Sequence, residues 1–364
     1  KLFSGLPAYQ TVVVGGVDRQ GADAVNDVSY LLLEVVDALR TRQPNFHARL
    51  HPGAPERFTR RVFQMLGDGA NTPALYNDEV VVPTLQAYGH TLEDARDYAP
   101  IGCVEPTAQG CSFSSTDAVL FNLAMVLELS LNQGRRFGGR RRVGAKTPGV
   151  TALRTMDDVA RAFTTQLEHR VRALHRDLQA VERANAREKP TPLSSGLIDG
   201  CLESGRDATA GGARYNRSGI QGVGASDVGD ALRAVEWVVF EEQRIDLPAL
   251  VVALQENLPD EALRARLLRA GKFGNDDPAA DRWTAFVVDA FVRGVEGLGT
   301  STRGGPYVVG LYSVTAHDHF GQVTGALPNG RRRGTPLTSG IAPTNGADRL
   351  GPTAVIQSMG RLDF

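Results

Sequence analysis

The sequence predicts a mixed helix-and-strand fold, α/β or α+β, on three observations. Thr11-Val12-Val13-Val14 is a short apolar run closed by Gly15-Gly16, the pattern of a buried strand, and a helical pattern follows it. Leu167, Val171, Leu174 and Leu178 recur at helical spacing inside a long Arg-, Glu- and Ala-rich stretch. Strand-like pieces such as Tyr307-Val308-Val309 return late in the chain, so the two signals interleave throughout.

The elements follow in order. After the first strand, Val28, Leu32, Val35, Val36 and Leu39 predict a helix over about 23–42. A second helix is expected near 55–69, beginning at or just after Pro55. Two short helical pieces, Thr84 to Tyr88 and Thr91 to Tyr98, flank Gly89, with Thr91 and Asp94 placed as a cap. A strong helix is expected from about Asp117 to Asn132, stopped by Gly134. The long amphipathic helix covers about 156–187. Residues 190–225 are rich in Gly, Ser and Asn and read as loops with short strands. Helices return at about 226–243, 247–257, 259–271 and 279–297. The tail mixes Gly turns with strand-like pieces, among them Ala354-Val355-Ile356. There is no internal repeat and no low-complexity linker.

Composition excludes several classes. The 364 residues are 42% hydrophobic and 22% charged, enough for a sizeable core. A net charge of -1 gives no global preference for nucleic acid or anionic membrane. The arginines at 135, 136, 140, 141 and 142 are broken by Gly and read as a solvated loop. Three cysteines, Cys103, Cys111 and Cys201, make neither a disulfide framework nor a CxxC metal signature, so no metal is expected and a cytoplasmic location is. No apolar run is long enough for a membrane helix. Gly15, Gly16 and Gly21 fail the GxGxxG spacing of a dinucleotide site.

The reactive candidate is the run Gly102-Cys103-Val104-Glu105-Pro106. Gly102 and Pro106 mark a turn, and in extended backbone positions i and i+2 share a side. A carboxylate two residues from a sulfur opposes a thiolate nucleophile by charge. It does not oppose a neutral sulfur radical. Cys103 could also be a simple buried thiol.

That run has company. Tyr76-Asn77-Asp78-Glu79-Val80 and Leu92-Glu93-Asp94-Ala95-Arg96-Asp97-Tyr98 precede it, and Phe121-Asn122-Leu123 follows. Further on stand Gly211-Gly212-Ala213-Arg214-Tyr215-Asn216, Gly219-Ile220-Gln221-Gly222-Val223-Gly224, the stretch from Gly310 to His317, Pro328-Asn329-Gly330-Arg331-Arg332 and Gly351-Pro352-Thr353-Ala354-Val355. In this order the segments resemble the glycyl radical enzymes, the group that includes pyruvate formate-lyase and the radical diol dehydratases.

The resemblance implies an α/β fold: an incomplete ten-stranded barrel surrounded by helices, with Cys103 on an interior loop. Residues 1–364 would be the central-to-late part of one such barrel domain, with the N-terminal part and the C-terminal glycyl radical domain lying outside the sequence. The RVxGY-type radical motif does not occur in it. The implied cofactor is a protein glycyl radical installed by an S-adenosylmethionine/iron-sulfur activase. Cys103 matches the position of the thiyl radical and Glu105 that of a general base, which favours the dehydratase and lyase branch. Asp117 matches a residue that holds substrate hydroxyls, and is also readable as a helix-start carboxylate. Tyr9 and Tyr312 match pocket-lining aromatics, with core packing as the alternative. His317 reads as structural. The implied substrate is a small polar alcohol such as glycerol or 1,2-propanediol, with choline-like or hydroxyproline-like molecules open. A homodimer is expected, with no nucleic-acid or membrane partner. The alternatives are a carbon-carbon lyase of the pyruvate formate-lyase kind and an inactive binding remnant.

Overall fold

The structure, a computed structural model, describes residues 10–40, 43–102 and 104–362. In chain order its elements are β1 (Thr11–Gly15), α1 (Asp27–Leu39), β2 (Asn45–Leu50), α2 (Glu56–Gly67), β3 (Ala74–Asn77), α3 (Asp78–Ala87), α4 (Leu92–Arg96), β4 (Tyr98–Ile101), β5 (Glu105–Ala108), β6 (Ser115–Asn122), α5 (Leu123–Leu131), α6 (Met156–Glu188), α7 (Pro192–Ser195), α8 (Cys201–Ser204), β7 (Ser218–Val223), α9 (Ala225–Val235), α10 (Leu247–Gln255), α11 (Glu261–Arg269), α12 (Pro278–Glu296), β8 (Tyr307–Gly310), α13 (Ala316–Val323) and α14 (Pro352–Met359). They divide into two compact units, 1–114 with 186–216, and 115–185 with 217–364.

The first unit is built on a parallel sheet in the order β1-β2-β3. Strand β2 reads Asn-Phe-His-Ala-Arg-Leu and alternates strictly. Phe46 and Ala48 enter an apolar cluster with Val14 of β1, Leu33 of α1, and Phe58, Val62 and Met65 of α2. Burying a side chain such as Phe58 contributes roughly 1.5–3 kcal/mol. The opposite face of β2 carries Asn45, His47 and Arg49. Helix α1 starts where Asn26 Oδ1 accepts the N–H groups of Val28 and Ser29, and Ser29 Oγ accepts the Asn26 N–H, a capping box. Strands β4 and β5 form an antiparallel hairpin.

The second unit has a parallel sheet in the order β6-β7-β8. All six residues of central strand β7 are buried. Phe121, Ile220, Val223, Leu123 and Leu127 share a core with Leu167 and Val171 of α6, Val228 and Leu232 of α9, and Val287 and Phe291 of α12. Among the described residues no helix is long and apolar enough to cross a membrane.

Two expectations need correction. Asp117 does not stand at a helix start: Ser115–Asn122 is strand β6, and the helix begins at Leu123, where Asn122 accepts the Met125 N–H. The strand wins because residues 119–122 pair with 220–223 of β7. Ala354-Val355-Ile356 is helix, not strand: Pro352 occupies the first turn of α14, which its fixed φ favours.

Candidate active site

The hairpin is seated by a buried ion pair. Arg49 Nε and Nη2 reach the two Asp78 oxygens at 3.0 and 2.8 Å, and both side chains are nearly inaccessible. The same guanidinium donates to the carbonyls of Tyr98 at 3.2 Å and Arg96 at 2.8 Å. It also lies 4.0 Å from the centroid of the Tyr98 ring. Tyr98 in turn donates its hydroxyl to Asp78 Oδ1 at 2.8 Å. Burial is the main cause that pushes the Tyr98 phenol upward, with Asp78 adding to it, so it stays a donor. Gly16, directly after β1, sits at φ +80, and a Cβ there would stand 2.5 Å from Arg49 Nε.

A second node ties the preceding turn to residues 211–216. Buried Asp94 accepts from Arg19 Nη2 at 2.8 Å, Arg214 Nη1 at 3.0 Å and the Tyr215 hydroxyl at 2.8 Å. Burial alone would raise this carboxyl, but bonds from Tyr215, Arg19 and Arg214 outweigh it and hold it at about 2. Tyr215 stacks on His90 with ring centroids 3.9 Å apart. These contacts give structural roles to the 92–98 and 211–216 motifs.

The hairpin register pairs Ile101 with Glu105, leaving Gly102-Cys103-Val104 as the connection. Cys103 lies outside the described residues, and so does Tyr9. The residues around Cys103 are ordered by short contacts. Gly102 sits at φ +60, in the left-handed region that favours glycine. Its carbonyl accepts from Asn45 Nδ2 at 2.6 Å and Thr11 Oγ1 at 3.4 Å. Glu105, half-buried, turns its carboxylate back over the turn: Oε2 accepts the Val104 N–H at 2.8 Å. A Cβ on Gly102 would lie 3.4 Å from that oxygen.

In the second unit, Asp117 on β6 and Tyr312 after β8 meet: the Tyr312 hydroxyl donates to Asp117 Oδ2 at 3.1 Å. Next to Tyr312, Ser313 Oγ is 3.1 Å from His317 Nδ1. The 328–332 motif closes a loop on a buried acid. Asn329 Nδ2 and the Thr338 N–H donate to Asp227, and Arg331 donates to the Gly325 carbonyl at 2.7 Å. The thiols of Cys111 and Cys201 are buried and pushed up chiefly by that burial, which keeps them protonated. Among the described residues no group of three His, Cys, Asp or Glu side chains is arranged to hold a metal.

Sequence reasoning missed Asn45, Thr11, Arg49 and Asp78 as parts of the site's frame. The polar/apolar alternation over 45–50 was the available signal for the first and third.

The sequence matches the family described as "Pyruvate formate lyase-like" over residues 1–321. It is 35% identical over 360 residues to trans-4-hydroxy-L-proline dehydratase of Clostridioides difficile, covering 98% of this chain and 45% of that protein. The structure is similar to the glycerol-bound B12-independent glycerol dehydratase of Clostridium butyricum, with a TM-score of 0.92, 37% identity, and coverage of 98% of this chain and 45% of that one. It is also similar to a glycyl radical enzyme from Archaeoglobus fulgidus, with a TM-score of 0.91, 39% identity, and coverage of 99% and 46%. The chain therefore spans about half the length of the relatives it matches, and its fold is the glycyl radical enzyme fold expected from the sequence.

Proposed function

The chain belongs to the pyruvate formate lyase-like family, and from that premise we propose that it carries the radical-relay loop of a glycyl radical dehydratase acting on a small polar alcohol. The observation that carries this reading is the Glu105 carboxylate, held against the Val104 amide two residues after Cys103. The tip suits a radical relay. Its turn residue is a glycine at φ +60, and a carboxylate two residues from a sulfur in sequence disfavours a thiolate by charge but not a neutral sulfur radical.

A protein glycyl radical, set by a radical-activating partner enzyme, would supply the unpaired electron by taking the thiol hydrogen of Cys103. Cys103 then takes a hydrogen atom from the substrate carbon that bears a hydroxyl. Glu105 accepts the proton of that hydroxyl. The adjacent carbon-oxygen bond breaks, the hydroxide departs as water with a proton equivalent to the one Glu105 took up, which restores the carboxylate, and Cys103 returns the hydrogen atom to that adjacent carbon. The net change is loss of water and formation of a carbonyl. Asp117 and Tyr312, already bonded to each other, are assigned to hold the substrate hydroxyls, with Tyr9 as a further pocket aromatic. Residues 1–364 are taken as the central-to-late part of one barrel domain, in a cytoplasmic homodimer.

The test is product analysis. The protein containing this chain, activated anaerobically, is offered glycerol, 1,2-propanediol and trans-4-hydroxy-L-proline. Loss of water from at least one supports the proposal. Exchange of formate into pyruvate, with no dehydration of any of the three, contradicts it.

A further inference from the structure

The polar face of β2 reaches strand β4 and the turn after it at two points. Arg49 takes the Tyr98 carbonyl at 3.2 Å, and four residues earlier Asn45 takes the Gly102 carbonyl at 2.6 Å. Two chains that meet at 49 with 98 and at 45 with 102 run antiparallel. The hairpin is thus anchored at both ends of one strand face, roughly 13 Å apart at strand rise.

The tip anchor has two donors. Thr11 and Asn45 are the first residues of β1 and β2 and stand opposite each other in the register. Both aim at one oxygen, the Gly102 carbonyl, at 3.4 and 2.6 Å. Because that oxygen can only accept, the Asn45 amide must present its nitrogen, which fixes the orientation of its side chain. The Gly102 carbonyl belongs to the same planar peptide unit as the Cys103 nitrogen. Holding the oxygen therefore restrains the peptide unit that leads into Cys103.

We infer that Asn45, assisted by Thr11, is a positioning residue: it clamps the Gly102–Cys103 peptide and so sets where the cysteine sulfur stands. The functional half of this inference rests on the radical-relay reading of Cys103; the conformational half does not. A relay of hydrogen atoms depends on short, directed approach, and a displacement of about 1 Å in such geometry costs on the order of a hundredfold in rate.

Two variants test it. Asn45→Leu keeps the shape and removes the N–H donor. Thr11→Val removes the hydroxyl from the longer bond. In the unactivated protein, iodoacetamide labelling is followed at each of the three cysteines by peptide mass spectrometry. Asn45→Leu is expected to speed labelling of Cys103 about fivefold, the change expected for one lost hydrogen bond. Thr11→Val is expected to change it less than about twofold, because its contact is near the limit of a hydrogen bond. Cys111 and Cys201, both buried, should label as in the parent protein. In the activated protein, Asn45→Leu should lower kcat at least about tenfold, with KM little changed and the glycyl electron paramagnetic resonance signal intact. No change at Cys103, or an equal rise at all three cysteines, overturns the clamp. A Cys103→Ala control separates the two readings: if it retains turnover, the relay assignment falls while the labelling result still decides the clamp.

Discussion

Asp94 collects three donors from two distant stretches of chain, Arg19 and the adjacent Arg214 and Tyr215, and its charge is worth stability for that reason. Its folded carboxyl titrates at about 2, against an ordinary 3.8. Above about pH 5 it is ionised whether folded or not, and the whole contribution is present, on the order of 2 kcal/mol. As pH falls from about 5 through 2 the unfolded chain takes up its proton first, and the contribution is lost. Asp94→Asn should therefore unfold more easily at pH 7 and show a shallower loss of stability below pH 4, read by urea unfolding at a series of pH values. Identical acid limbs in the two proteins would contradict this. Asp94 was legible from sequence only as part of a cap with Thr91, which it is: Thr91 Oγ1 accepts the Asp94 N–H at 3.1 Å. Its larger role was not legible, because Arg19 and Tyr215 are far off in sequence. Asp117 was misplaced for a different reason. Residues 118–131 form one nearly unbroken apolar run, and periodicity cannot separate a buried strand from a buried helix. Asn122, the one strong cap inside that run, marks the true boundary.

At the scale of elements, the β4–β5 hairpin takes its place from β2. That strand was not expected, although its six residues alternate with period two; β3, only four residues long, left too little pattern to read. The long helices were legible because their apolar seams repeat over several turns: α6 runs from Met156 to Glu188, against an expected 156–187. Short strands depend on partners that the local sequence does not contain. The Arg49–Asp78 pair is the clearest case, since its two members lie 29 residues apart and bond across the buried side of the sheet. Removing one partner from such a pair leaves a buried, unpaired charge, at a cost of about 3–5 kcal/mol. Asp78→Ala should lose that much in chemical denaturation. A loss below about 1 kcal/mol, the usual worth of an exposed pair, would mean that the ion pair does not seat the hairpin.

For the molecule as a whole, the residue motifs proved more informative than the element pattern. Helix and strand periodicity left α/β and α+β both open. The ordered set of motifs identified the family fold, and the structure explains why several of them hold together. The 92–98 and 211–216 segments meet at Asp94, and the 328–332 segment closes on Asp227. Each joins stretches distant in sequence, so each carries fold information that composition does not. The central claim remains that Cys103, two residues before a fixed carboxylate, relays the radical to substrate. Its most direct test is Cys103→Ala in the activated protein that contains this chain, with turnover of a dehydrated substrate and the glycyl electron paramagnetic resonance signal measured on the same sample. The expected result is a full glycyl signal with no turnover. Turnover at the parent rate beside that signal would contradict it.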